Sequence, residues 1–203
     1  PELVDRETIA ARWVKVKEPN YEIETAKEVA LKGTSRPNWQ ASGEYGYKWG
    51  SAVHELLELA TKTPDADRTK AAVMLATQFG LGNERVEELS QTVDAVTRSE
   101  IWTRARQALR CYSEFPLETV SQSDTGQPII TRAVIDLLFE EQDGWVIVDY
   151  KTDDIAISEM ESAVGYYRPQ LDQYAKNFSD ATGARVKEIG LYFTRLDRAV
   201  SVG

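Results

Sequence analysis

Ala133-Val134-Ile135-Asp136-Leu137-Leu138-Phe139-Glu140-Glu141-Gln142-Asp143-Gly144-Trp145-Val146-Ile147-Val148-Asp149-Tyr150-Lys151-Thr152 is the stretch on which the reading of the fold turns. Two apolar runs flank Gln142-Asp143-Gly144, a turn signal, so the segment reads as strand–turn–strand. Side chains alternate faces along a strand, and Asp149 and Lys151 therefore point the same way. With the two runs paired as a hairpin, Asp136 can join them. Two acids and a lysine on rigid strands form a site for a divalent cation and an activated water. The plainer reading of Asp149-x-Lys151 is a solvated ion pair, and the rest of the chain has to decide.

Outward from this hairpin, Tyr112 to Val120 reads as a further strand, ended by the turn Ser123-Asp124-Thr125-Gly126-Gln127-Pro128. The next strand spans Ile129 to Glu140 and the third Trp145 to Lys151. Ser158-x-x-Glu161 is expected to open a helical segment as a capping box. Pro169 suits the first turn of the main helix, expected over 169–181. Lys187 to Phe193 closes as a strand, with a short one over 199–202. Toward the front, residues 1–17 have helical apolar spacing, and 18–48 read as loop. Trp49 to Ala60 is a helix with the stripe Val53, Leu56, Leu57 and Ala60. Three more helices are expected over 67–79, 84–97 and 99–110, the last capped by Ser99. The order implies an α/β fold, a mixed sheet flanked by helices with an N-terminal helical elaboration. The expected division is a helix and linker over 1–48 and a domain over 49–203, with 67–110 as a helical insertion.

At 203 residues the chain can bury one sizeable core. No apolar run approaches the roughly 20 residues that span a membrane, and no signal peptide is visible. The chain starts at Pro1 without methionine, which reads as a fragment of something longer. Its one cysteine, Cys111, excludes an internal disulfide, a cysteine-based zinc site and a four-cysteine iron–sulfur cluster. It fits a reducing, cytoplasmic setting. The net charge of −9 leaves two readings open. Either the partner is not nucleic acid, or the acids cluster around a metal while other parts of a larger protein grip the phosphates.

Four segments now appear in order: Gly50-x-x-x-His54-Glu55-Leu56-Leu57-Glu58, Val134-Ile135-Asp136-Leu137-Leu138, Asp149-Tyr150-Lys151-Thr152, and Tyr167-Arg168-Pro169-Gln170-Leu171-x-x-Tyr174. Together they resemble the RecB-type nuclease domains of the PD-(D/E)XK superfamily, found in AddA and RecB helicase–nuclease proteins and in related stand-alone exonucleases. The resemblance runs from about residue 45 to the end. It implies a restriction-endonuclease-like sheet and an Mg²⁺- or Mn²⁺-dependent deoxyribonuclease of exonuclease type. Asp136 and Asp149 would be metal ligands, joined by His54 and the carbonyl of Tyr150. Lys151 would orient or help deprotonate the attacking water. Gln170 and Tyr174 share a helical face and would help position the DNA backbone, assisted by Tyr167. Glu114, in Glu114-Phe115-Pro116, matches an acid common before a proline in these domains and ranks below the two aspartates. Glu58, one turn after His54, is read as support for the site or as polar surface. Asp153 and Asp154 read as loop acids.

His54 is the sole histidine, so the His-Glu-x-x-His pattern of a zinc protease is incomplete: position 58 is glutamate. Ala133 stands where the family often has glycine. The flanking cysteines of iron–sulfur relatives are missing, which favours the cluster-free AddA/RecB-like branch. No Walker A pattern occurs. The implied partners are DNA, as single strands or ends, the helicase portion of the same parent chain and a partner subunit, with no membrane. The competing expectation is a catalytically silent nuclease-fold module that binds DNA or serves structure.

Overall fold

The two apolar runs form an antiparallel hairpin, β3 (Pro128–Glu141) and β4 (Gly144–Lys151), in register from Leu137↔Val148 to Glu141↔Gly144. Gly144 closes its turn at φ +145°, where an added Cβ would lie 3.0 Å from the Arg185 carbonyl oxygen. The computed structural model describes residues 19–34, 37 and 44–203. The helix expected over 1–17 lies outside the described residues.

Around this hairpin stands a six-stranded mixed sheet. Strand β2 (Arg110–Gln122) runs antiparallel along one whole edge of β3. The other edge of β3 is shared. Strand β4 takes residues 137–141, and β1 (Glu22–Thr25) pairs in parallel with residues 129–132. Between them, residues 133–136 have no strand partner on that edge among the described residues. Beyond β4 come β5 (Val186–Phe193), parallel to it, and β6 (Arg198–Ser201), antiparallel to β5.

Both faces of the sheet are covered, so β4 is buried from Trp145 through Lys151 and reads as an unbroken apolar run. One face carries Leu137, Phe139, Val146, Val148 and Tyr150. It packs on α2 (Glu44–Lys62), α3 (Arg68–Phe79), α4 (Val86–Arg98) and α5 (Glu100–Gln107). Ser99 caps α5, its hydroxyl accepting the Trp102 N–H at 3.3 Å. The other face carries Trp145, Ile147, Ile189, Leu191 and Phe193 against α1 (Ala26–Leu31) and α6 (Met160–Thr182). Among the described residues no helix is long and apolar enough to cross a membrane.

Three expectations are corrected. Residues 18–48 are not loop throughout: they hold β1 and α1, Ala26 is buried in the core, and α2 begins at Glu44 rather than Trp49. Strand β1 is too short to show a period, and its order comes from pairing with β3. Next, α6 starts at Met160, so Pro169 lies inside it. An interior proline costs about 3 kcal/mol. Burying Ala163, Tyr167, Leu171, Tyr174 and Phe178 along the helix outweighs this, at about 1.5–3 kcal/mol for each large side chain. Finally, Ser158 does not cap. Instead the Glu159 carboxylate accepts the Ala156 N–H at 2.7 Å, at the start of a 3₁₀ turn over Ile157–Glu159.

Candidate metal centre and catalytic cleft

The gap on the edge of β3 is where the acids gather. Past Leu137↔Val148 the two strands of the hairpin stop pairing, and the Asp136 side chain bridges them: Oδ2 accepts the Tyr150 N–H at 2.6 Å. Across the other edge stands Glu114. It interrupts the β2–β3 register between Ser113↔Leu137 and Phe115↔Ile135 with φ at +47°. That left-handed conformation costs a non-glycine residue about 1–3 kcal/mol, and such strain concentrates where a side chain must be aimed. The sheet changes face at the same point. Ala133 and Ile135 pack in the α6 layer, whereas Leu137 and Phe139 pack in the α2 layer, although positions two apart on a regular strand share a face.

Helix α2 brings His54 over this break. Its Gly50 approaches the end of β4 so closely that a Cβ there would lie 3.0 Å from Thr152 Oγ1. One turn later, His54 Nδ1 stands 3.4 Å from Glu114 Oε1 and 3.5 Å from Asp136 Oδ1. Donor atoms of these three residues all lie within 4.8 Å of one another, a spacing one cation can bridge. The Tyr150 ring supports the imidazole edge-on at 6.0 Å.

On the α6 side of β4, Asp149 and Lys151 sit together as strand alternation predicts. Lys151 Nζ is 2.5 Å from Asp149 Oδ2 and donates to Gln170 Oε1 at 3.2 Å. It also lies 4.0 Å from the centre of the Tyr167 ring. Gln170 Nε2 donates to Asp149 Oδ1 at 3.4 Å and to the Tyr174 hydroxyl at 2.5 Å. The Tyr167 hydroxyl donates to Asp153 Oδ2 at 2.6 Å, which draws into the cleft an acid expected only as loop surface. Among the described residues no donor is aligned on Asp149 Oδ2, although the Lys151 ammonium stands beside it.

Burial and charge set the protonation of this cluster. Burial opposes a charged His54, but Asp136 and Glu114 outweigh it and push the imidazole up to about 10. Burial also opposes the Asp136 carboxylate. There His54, Lys151 and the Tyr150 N–H win, and it is held below its ordinary value. For Asp149 the balance reverses: burial, reinforced by the Asp136 charge, outweighs Lys151 and pushes the acid up to about 6.

All of the residues singled out in the sequence line one open cavity of about 660 Å³: His54, Glu58, Glu114, Asp136, Asp149, Tyr150, Lys151, Tyr167, Gln170 and Tyr174. Their grouping differs from expectation in one respect. The close donor trio is His54, Glu114 and Asp136, while Asp149 turns to Lys151 and Gln170. Glu58 lies at the rim, paired with Lys62. Lys27 of α1 and Tyr47, two helical turns before His54, also line the cavity and were not anticipated. The i, i+7 spacing to His54 was the available signal for Tyr47.

Comparison with known proteins follows the same outline. The family model of the PD-(D/E)XK nuclease superfamily matches residues 30–202. The AddA protein of the ATP-dependent helicase/nuclease from Carboxydothermus hydrogenoformans is 37% identical over 107 residues, covering 49% of this chain and 9% of that protein. The protein of the same name from Alkaliphilus oremlandii is 32% identical over 129 residues, covering 56% and 11%. That from Syntrophomonas wolfei is 29% identical over 168 residues, covering 75% and 13%. The matched segments thus amount to about a tenth of the length of these relatives.

Proposed function

The chain belongs to the PD-(D/E)XK nuclease superfamily, and from that premise we propose that it is a divalent-metal-dependent deoxyribonuclease domain hydrolysing phosphodiester bonds. The observation that carries this reading is the juxtaposition, in one cavity, of the His54–Glu114–Asp136 donor trio and the Asp149–Lys151–Gln170 cluster.

The donor set fits a cation. It offers one imidazole nitrogen and carboxylate oxygens, the chemistry that holds Mn²⁺ or Mg²⁺, and no thiolate. His54, Glu114 and Asp136 would hold the ion, with Asp149 and the Tyr150 carbonyl as further oxygen donors. When bound, such an ion polarises a water molecule and stabilises charge on the departing oxygen of the phosphodiester. The chain's own residues do the rest. Lys151, anchored by Asp149 and Gln170, would orient the attacking water and offset negative charge growing on the phosphate. Gln170 acts as a positioning residue, since its amide is engaged with Lys151, Asp149 and Tyr174. Tyr167 and Tyr174 wall the cleft beside the DNA backbone.

In the named relatives the similar segment is a small part of a helicase/nuclease protein. We therefore take this domain to work on DNA ends or single strands delivered by a helicase portion of its parent chain and a partner subunit, in recombination and repair. The net charge of −9 agrees with a domain that leaves most of the DNA grip to others.

The test is cleavage of end-labelled single- and double-stranded DNA with Mn²⁺ or Mg²⁺, beside an EDTA control, Asp149→Ala and Lys151→Ala. Metal-dependent cutting, reduced about 10²–10³-fold or more in each variant, is the expected result. Mn²⁺ binding that depends on Asp149, without cutting in either metal, would assign the chain to a silent nuclease-fold module instead. Loss of both cutting and metal binding would remove the metal centre altogether.

A further inference from the structure

A second cavity, of about 520 Å³, opens on the helical insertion beside the cleft, and its charge is opposite. Four arginines line it: Arg68 at the start of α3, Arg98 in the last turn of α4, Arg106 in the last turn of α5, and Arg110 at the start of β2. Among the described residues Asp65 is the only acid on its wall, and Trp102 is packed into the core behind it. Arg68 is paired with Asp94 at 3.3 Å and Arg110 with Glu140 at 2.5 Å. Arg98 and Arg106 are exposed and have no ion pair among the described residues. In a chain of net charge −9, this is a local surplus of positive charge.

The plain explanation is that a cation in the last turn of a helix complements its dipole. That accounts for Arg98 and Arg106 one at a time. It does not account for their convergence on one concave wall with two more guanidinium groups.

The pocket is also joined to the cleft. A shallow groove runs between the end of α2 and the edge strand β2. It shares Glu114 with the cleft, and Thr61 and Cys111 with the arginine pocket. From Glu114 to Arg110 is four residues of strand, about 13 Å at the usual rise. A chain seated with one phosphate at the metal centre can therefore lay its next phosphates along β2 toward the arginines.

On the nuclease reading above, we propose that this groove is the track of the nucleic-acid strand being cut and that Arg98 and Arg106 hold its backbone phosphates a few nucleotides from the scissile bond. Guanidinium groups suit phosphate oxygens because their planar donors can engage two at once. The contact is to backbone and carries no base preference.

The test compares a long and a short substrate on the whole 203-residue chain with Mn²⁺. One is an oligo-dT of about 20 nucleotides, long enough to reach past the pocket at single-strand site sizes; the other is the p-nitrophenyl ester of thymidine 5′-phosphate, which reaches the cleft alone. In the Arg98→Gln/Arg106→Gln double variant, KM for the oligonucleotide is expected to rise about tenfold. The salt dependence of log KM should flatten by about 1.4, two phosphate contacts at roughly 0.7 each. Ester hydrolysis should stay at the parent rate, which also shows that the variant folds. The Arg98→Lys/Arg106→Lys pair, which keeps the charge, should recover most of the loss, and Lys70→Gln should change nothing. An unchanged KM and salt slope with normal ester hydrolysis overturns the track and leaves the nuclease reading standing. Should the ester not be hydrolysed, oligonucleotide anisotropy in EDTA decides the pocket separately: binding weakened in the Gln pair supports it, and equal binding overturns it. Tighter binding of a polyglutamate peptide than of oligo-dT at these arginines also overturns it, and would give the pocket to an acidic protein segment.

Discussion

Glu141 and Asp149 both touch a lysine, yet the fold drives their acidities in opposite directions. Glu141, at the hairpin end of β3, is 2.6 Å from Lys187 Nζ and takes two hydrogen bonds from Arg104, at 3.1 and 3.0 Å. Those partners pull its carboxyl down to about 2. Asp149, on the adjacent strand, is 2.5 Å from Lys151, but its side chain is 4% exposed against 23% for Glu141, and Asp136 lies near it. Burial and like charge push it up to about 6. Contact with a cation therefore does not decide what an acid does. The neighbourhood decides, because desolvation and a second buried carboxylate can outweigh one ammonium. The cluster around Glu141 is a structural tie that water helps to solvate. The cluster around Asp149 and Asp136 concentrates negative charge where water is scarce, which is the demand a divalent cation would meet.

The contrast is broken most directly at Glu114. Its carboxylate is aimed at His54 through a strained backbone, so Glu114→Gln should weaken Mn²⁺ binding about 10–100-fold. Titration calorimetry measures it, and an unchanged affinity would mean that the trio does not hold the ion. A smaller effect concerns protons. His54 is held protonated up to about 10 in the metal-free protein, and a ligating imidazole must be neutral. Mn²⁺ binding at about pH 8 should therefore release about one proton, read from calorimetry in buffers of different ionisation enthalpy. His54→Gln should abolish that release. The smallest effect lies on the other side of the comparison. The folded-state value of Glu141 is below its unfolded one, so the unfolded chain binds the extra proton between about 2 and 4.5. Its stabilisation is present above that window and lost as pH falls through about 2. Glu141→Gln should cost about 1 kcal/mol near neutral pH by urea denaturation, and the difference should vanish near pH ~2.

Much of the centre was legible because its signals are local. A strand period of two puts Asp149 and Lys151 on one face, and a helical repeat puts Tyr167, Gln170 and Tyr174 on another. The turn at Gln142-Asp143-Gly144 announced the hairpin that carries Asp136. Where local rules conflict with burial, burial prevails. Pro169 is a sound marker for a helix start, but the apolar stripe continuing from Ala163 to Phe178 keeps the helix running through it. Glu114 showed the opposite failing. It sits in a strand as its neighbours predict, and nothing within the strand's period announces a left-handed residue.

The sequence by itself determined the order of elements, the alternation that faces Asp149 and Lys151 to α6, and the residue types that suit a hard cation. Each depends on spacings of roughly two to seven residues, which the backbone's own geometry enforces. Only the tertiary structure decided that Glu114, sixty residues from His54, completes a donor trio with it and Asp136. It likewise decided that residues 22–31 join the sheet and its core, and that arginines from four elements meet at one pocket. These depend on which surfaces the core brings together. Because apolar burial is non-directional, no local pattern encodes which distant polar groups it leaves face to face.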